Sequence, residues 1–288
     1  MNFEQRLMEA TKYNSRFLPG TIRYSASMRG ADPVQNALRI SFPEESQTNI
    51  GMNTIGTIFH AGMDALISDK KLLFDKSTMP EHYMGHVVQI DSVSCALHGT
   101  ADLILVGTDS EDQAIRTIEI IDYKLTSSYQ MKALHEKREE TAARYLPQLQ
   151  MLLYLFFSPL RDDIDADEND RVHIILSNTF FVRDAMFSRK QRVFEKTNWV
   201  DEVFTMKEVH AMLADIQSEI FDEVREMHDA VADNRLKDGC KDRWIRKIDG
   251  VTVPTKCVWY CSVKDNCPFY KSEVPPISKR VADPGLWS

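Results

Sequence analysis

Two aspartates stand inside apolar strand-like segments, where a carboxylate is out of place unless it has work to do. Asp102 lies in Gly99-Thr100-Ala101-Asp102-Leu103-Ile104-Leu105-Val106, and Asp122 in Ile118-Glu119-Ile120-Ile121-Asp122-Tyr123-Lys124. A charge at a mostly buried strand position is costly unless it is paired or bound to metal. Side chains alternate along a strand, so Asp122 and Lys124 share one face and Tyr123 takes the other. The segment Gly107–Asp112 reads as a hairpin turn that brings Asp102 beside that pair, with the register open by a residue or two. Two carboxylates and an ammonium suit phosphodiester hydrolysis. The carboxylates offer hard oxygen ligands for Mg²⁺ or Mn²⁺, and such a metal activates a bound water. The ammonium orients that water or stabilises the charge building on phosphorus. The same residues also fit a plainer arrangement, a strand-end ion pair between Asp122 and Lys124 with Asp102 capping a turn.

A second constellation sits near the end of the chain. Of five cysteines, Cys240, Cys257, Cys261 and Cys267 fall in the last fifth, separated by sixteen, three and five residues. Clustered thiols outside an oxidising compartment point to metal rather than disulfides. Four thiolates suit tetrahedral Zn²⁺ or a 4Fe–4S cluster, and buried thiols without metal are the remaining option. Cys95, within a predicted strand, reads as a core residue.

The elements that must position these groups follow from periodicity. Apolar residues recur at helical spacing from Asn53 to Lys70, with a cap near Asn53 or Thr54. Strands are expected over His86–Val93, Cys95–Val106 and Ile115–Lys124. A helix is expected from Thr141 to Phe157, with Pro147 in its first turn, then an acidic loop at Arg161–Asp170 and a strand at Val172–Val182. An amphipathic helix fits Met206–Asn234. This order predicts an α/β fold, a mixed sheet flanked by helices. The expected division is an N-terminal segment over 1–50 packing on the core, a core over 51–200, and a helical, cysteine-rich C-terminal region over 201–288.

Composition narrows the classes. The chain has 288 residues, 43% hydrophobic and 27% charged, as ordinary globular proteins do. No apolar run approaches the ~18 residues of a membrane span, and the N-terminus lacks a signal-peptide pattern; a cytoplasmic setting is the expectation. The net charge of −8 argues against a generally basic nucleic-acid-binding surface, but two local basic patches, Arg189–Arg192 and Lys241–Lys247, are available for phosphate contact.

Taken in order, Gly56-Thr57-Ile58-Phe59-His60, Gly99-Thr100-Ala101-Asp102, Ile121-Asp122-Tyr123-Lys124 and Gln150-Met151-Leu152-Leu153-Tyr154 resemble the RecB-like branch of the PD-(D/E)XK nucleases, over roughly residues 50–182. The resemblance implies a restriction-endonuclease-like core with His60, Asp102, Asp122 and the backbone carbonyl of Tyr123 as Mg²⁺ or Mn²⁺ ligands. It also implies Lys124 as the catalytic lysine, and Gln150 and Tyr154 positioning DNA or that lysine. Thr126 and Ser127 follow the lysine and are candidates for phosphate contact. The four tail cysteines resemble the cluster-binding tail of iron–sulfur members, with Zn²⁺ as the alternative. One departure stands: those members usually carry the first cysteine before the nuclease core, and residues 1–94 contain none. The implied activity is DNA exonuclease action in recombination, repair or processing, in a bacterial or phage-infected cell. With no phosphate-binding Gly-x-x-x-x-Gly-Lys loop, the chain would need a single strand, a DNA end, or a partner such as a helicase or recombinase. The reading from another class is a non-catalytic nucleic-acid or partner-binding protein that keeps the fold.

Overall fold

The structure, a computed structural model, describes residues 21–41, 50–69, 76–127, 131–132, 136–160, 171–182, 197–233, 235–241, 245–248, 251–254, 257–258, 261 and 264–274. The basic patch Arg189–Arg192, part of the second patch, and the acidic loop expected at Arg161–Asp170 lie outside them. The chain divides into two units, one of residues 1–30 and 55–220, the other of residues 31–54 and 221–288. The division is interleaved, where a sequential one over 1–50, 51–200 and 201–288 was expected.

The first unit is built on a mixed sheet of six strands: β1 (Ile22–Ser25), β2 (Ser77–Ile90), β3 (Val93–Thr108), β4 (Arg116–Thr126), β5 (Val172–Val182) and β6 (Thr197–Thr205). β2 and β3 form a long antiparallel hairpin closed by Asp91–Ser92, where Asp91 takes a left-handed φ of 52° as tight hairpin turns require. β3 is the organising strand. One of its edges is occupied by β2; the other is shared between two partners. β1 pairs parallel with Cys95–His98, and β4 pairs antiparallel with Leu103–Thr108. Between them, Gly99–Asp102 are flanked by β2 alone, so the sheet forks there. The β3–β4 connection is turned by Asp109, whose carboxylate accepts the N–H groups of Glu111 and Asp112.

β4 runs parallel to β5 throughout its length, and β5 pairs antiparallel with β6. A parallel neighbour needs a crossover, and α3 (Arg138–Phe157) supplies it. Residues Leu149 and Met151–Phe157 of α3 are all nearly fully buried, as befits a helix enclosed on every side. Its approach to β3 is set by Gly99, where a Cβ would lie 2.8 Å from Leu152 Cδ2 and 2.9 Å from Ala26 Cβ. Pro147 lies at the middle of α3 rather than in its first turn. The helix starts earlier than expected, and Pro147 forfeits one internal hydrogen bond. On the opposite layer, α2 (Ile50–Ser68) sets Ile67, with Phe59 and Met63, against Leu103, Leu105, Ile121 and Tyr123. β4 therefore serves both layers: its odd residues pack toward α2, and its even residues Asp122 and Lys124 reach Gln148 of α3.

α4 (Met206–Ala232) follows β6 directly. Thr205 and Glu208 cap it reciprocally, the Thr205 N–H donating to Glu208 at 2.7 Å and the Glu208 N–H to Thr205 Oγ1 at 3.3 Å. Its buried stripe, Met206, Val209, Leu213, Ile216, Ile220, Val224, Met227 and Ala230, has the expected helical period.

In the second unit, α1 (Pro33–Ser41) is capped by Asp32, whose Oδ1 accepts the Val34 N–H at 2.9 Å. The other oxygen of Asp32 accepts the N–H of Lys241 at 2.7 Å. A short hairpin, β7 (Ile245–Ile248) with β8 (Val251–Pro254), and α5 (Pro268–Glu273) complete the described part. Leu38 and Val34 of α1 pack with Leu236, Cys261, Cys267, Phe269 and Tyr270. This apolar contact places the α1 segment with the cysteine region, whereas residues 21–30 group with the sheet unit.

Candidate active site at the fork of the sheet

The fork leaves a backbone problem and a side chain solves it. Beyond the Leu103–Ile121 pair, β3 and β4 stop exchanging ladder hydrogen bonds. The Tyr123 N–H, left without a β3 partner, donates instead to Asp102 Oδ2. A buried N–H must be satisfied, and Asp102 does this from mid-strand, not from a turn as the plainer reading of the sequence had it. Its other oxygen, Oδ1, faces His60 Nδ1 of α2 at 2.9 Å.

Asp122 follows Ile121 on β4. Its Oδ2 forms an ion pair with Lys124 Nζ at 2.6 Å, and its Oδ1 accepts from Gln148 Nε2 at 2.8 Å. The same amide closes a ring, since Gln148 Oε1 accepts from Lys124 Nζ at 2.9 Å. The Lys124 ammonium also lies 5.6 Å from the centre of the Tyr145 ring, within the range of a cation–π contact.

The electrostatics follow from burial. Asp122 is 4% exposed; desolvation pushes its carboxyl up to about 6, Lys124 pulls it back and Asp102 adds to the rise. His60 is raised chiefly by its hydrogen bond to Asp102, against the opposing effect of burial. Glu81 is raised first by desolvation and then by the neighbouring Asp102 charge. Asp122 and Glu81 are thus carboxylates whose charged forms burial disfavours.

His60, Glu81 and Asp102 each present a ligand atom within 4.8 Å of the other two. The expected trio was His60, Asp102 and Asp122. Asp122 lies beside this group but is engaged by Lys124 and Gln148. Glu81 escaped sequence reading because no strand was assigned before His86. The signal available was Pro80, an interruption inside a strand that marks a bulge or edge.

The glutamine that meets Lys124 is Gln148. Residues two apart on a helix point in nearly opposite directions, so only one of Gln148 and Gln150 can face Lys124, and it is Gln148. Tyr154, on the same face as Gln150, lies against His86 of β2 with ring centroids 5.5 Å apart. Thr126 is buried near the end of β4, and the Ser127 carbonyl accepts the N–H of Met131.

In the second unit, none of the cysteines forms a disulfide. Burial drives the Cys240 thiol well above the usual range, and Asp32, Cys261, Cys257 and Cys267 all add to the shift. Cys240 is thus within electrostatic reach of the other three tail thiols. Among the described residues, no three of them come within 4.8 Å of each other. Cys95 is buried in β3, with its thiol pushed up to about 12 by desolvation.

No helix among the described residues is long and apolar enough to cross a membrane. No family model and no curated protein matches the chain. Among solved structures, the chain is similar to "Crystal structure of SSO0001", with 14% identity, a TM-score of 0.44, and coverage of 92% of this chain and 93% of that one.

Proposed function

We propose that the chain is a divalent-metal-dependent DNA nuclease with a RecB-like PD-(D/E)XK core, degrading from an end or along a single strand. The observation that carries this reading is the assembly at the fork: Asp102 and Asp122 on adjacent strands, Lys124 2.6 Å from Asp122, and His60 2.9 Å from Asp102. The donor set of imidazole nitrogen and carboxylate oxygens suits Mn²⁺ or Mg²⁺. Such a cation would lower the pKa of a bound water and offset charge building on phosphorus.

The chain's own groups divide the remaining tasks. His60 and Asp102 supply ligand atoms, and Asp102 is fixed in orientation by the Tyr123 N–H. An extended residue projects its N–H and C=O to the same edge, so the Tyr123 carbonyl is a candidate ligand as well. Lys124 places an ammonium beside the scissile phosphate, and Gln148 holds Lys124 and Asp122 in fixed relation. Purified protein with Mn²⁺ or Mg²⁺ should degrade end-labelled single- or double-stranded DNA. Asp122→Ala and Lys124→Ala should not. Equal activity in the variants removes the reading.

The four tail cysteines support a metal-held C-terminal region. Tetrahedral zinc requires thiolates about 3.8 Å apart, given Zn–S bonds of roughly 2.3 Å. Cys240, Cys257, Cys261 and Cys267 supply the four thiolates that a 4Fe–4S cluster also takes, with Zn²⁺ as the alternative. Its role is to fasten short elements together, and brown protein with a broad absorbance band is the expected sign.

A further inference from the structure

We propose that Glu81 is a ligand of the divalent cation, so that His60, Glu81 and Asp102 hold the ion while Asp122, Lys124 and Gln148 form a separate polar unit beside it. The inference rests on the metal-dependent reading of this same site and changes which residues do the binding. The register supplies its first support. Pro80 pairs with Leu103 and His82 with Ala101, which sets Glu81 opposite Asp102. Leu103 pairs with Ile121, which sets Asp102 next to Asp122. One acidic residue therefore comes from each of three adjacent strands, in a row across the sheet.

The backbone at Glu81 supplies the second. Its φ of 45° lies in the left-handed region, inside a strand and on a residue other than glycine. Such a conformation persists only where the surroundings impose it, and it collects at ligand sites. Here it accompanies a carboxylate 3.7 Å from His60 Nδ1 and a ligand-atom group compact enough for one ion.

The third support is what Asp122 is already doing. Its Oδ1 accepts from Gln148 at 2.8 Å, and its Oδ2 makes no hydrogen bond but is ion-paired with Lys124 at 2.6 Å. Those partners fix Asp122 and the ammonium relative to each other. The trio on the other side of Asp102 has no such internal cation apart from His60, which must be neutral to bind metal. Two tasks are thereby assigned to two groups that share a border at Asp102.

The test is Mn²⁺ binding, followed by the paramagnetic resonance of free Mn²⁺ or by calorimetry, with no DNA present. Glu81→Gln should weaken binding by at least about tenfold, and Asp122→Asn by clearly less than Glu81→Gln. Glu81→Gly is the companion variant, because glycine accepts the left-handed φ without strain; it should bind Mn²⁺ as poorly as Glu81→Gln while unfolding at no lower temperature than wild type. A smaller loss in Glu81→Gln overturns the proposal, as does a loss in Asp122→Asn that equals or exceeds it, or absence of Mn²⁺ binding by wild type. The nuclease reading is judged separately: wild type that cleaves DNA but binds Mn²⁺ equally well in Glu81→Gln keeps that reading and loses this one. Protein that cleaves nothing yet needs Glu81 for Mn²⁺ does the reverse.

Discussion

The sheet unit and the cysteine unit each gather groups that invite a metal, but they are held together by different means. At the fork, His60, Glu81, Asp102, Asp122 and Lys124 stand on a scaffold of long strands and of α3, whose C-terminal half is buried. The apolar contacts there are made by other residues, among them Leu103, Ile104, Ile120 and Phe156. In the cysteine unit the elements are short, a four-residue hairpin and a six-residue helix, and two of the thiols, Cys261 and Cys267, are themselves members of the apolar cluster. On the proposed reading, a metal at the first place would serve chemistry and be optional for folding, whereas at the second it would substitute for the hydrophobic area that short elements lack.

The largest effect expected from this contrast is on the cysteine unit. Replacing Cys257 or Cys261 by serine should cost stability on the order of 10 kcal/mol where metal binding and folding are coupled. Limited proteolysis should then cut within residues 221–288 while a fragment spanning 55–220 survives. Equal resistance of both parts would erase the distinction. Next in size, Lys124→Ala should lower DNA cleavage by about 100- to 1,000-fold with little change in the unfolding midpoint, a combination that separates a catalytic group from a structural one. A packing variant in the sheet unit should show the opposite pattern. Gly99→Ala pushes a methyl group against Leu152 and Ala26, and should cost about 1–3 kcal/mol of stability, read by chemical denaturation.

The smallest effect is a pH dependence of the metal-free protein. His60 has its pKa raised in the folded state by Asp102, above an unfolded value of about 6.5. The stabilisation from their pairing is therefore full below about pH 6.5 and is lost as pH rises through the higher folded value. Its size should stay under about 1 kcal/mol, because the pair is partly open to water. His60→Gln should flatten that part of the stability profile, and an unchanged slope would show that the contact carries no charge.

Much of the fork was legible in the sequence. Asp102 and Asp122 are conspicuous because they interrupt apolar strands, and the polar turn between β3 and β4 fixed their neighbourhood. The alternation of β4 separated Tyr123 from Asp122 and Lys124. What sequence hid depends on tertiary context. Glu81 reaches the site through a left-handed backbone step that no propensity announces. The choice of Gln148 over Gln150 turns on the phase of α3 against the sheet, which two glutamines on opposite faces leave undecided. The strand β1 is only four residues long and exists because β3 offers it an edge. The grouping of α1 with the cysteines comes from Leu38 and Val34 meeting Cys267 and Phe269, a long-range contact that local pattern does not encode.

Asp102 has one more consequence. Its carboxylate takes the amide that would otherwise continue the β3–β4 seam, and so acts as a wedge in a zipper. A shorter, apolar side chain at that position would release the Tyr123 N–H and leave the two strands free to keep closing past Leu103. The residue proposed as a metal ligand is thus also the one that holds the two strands apart.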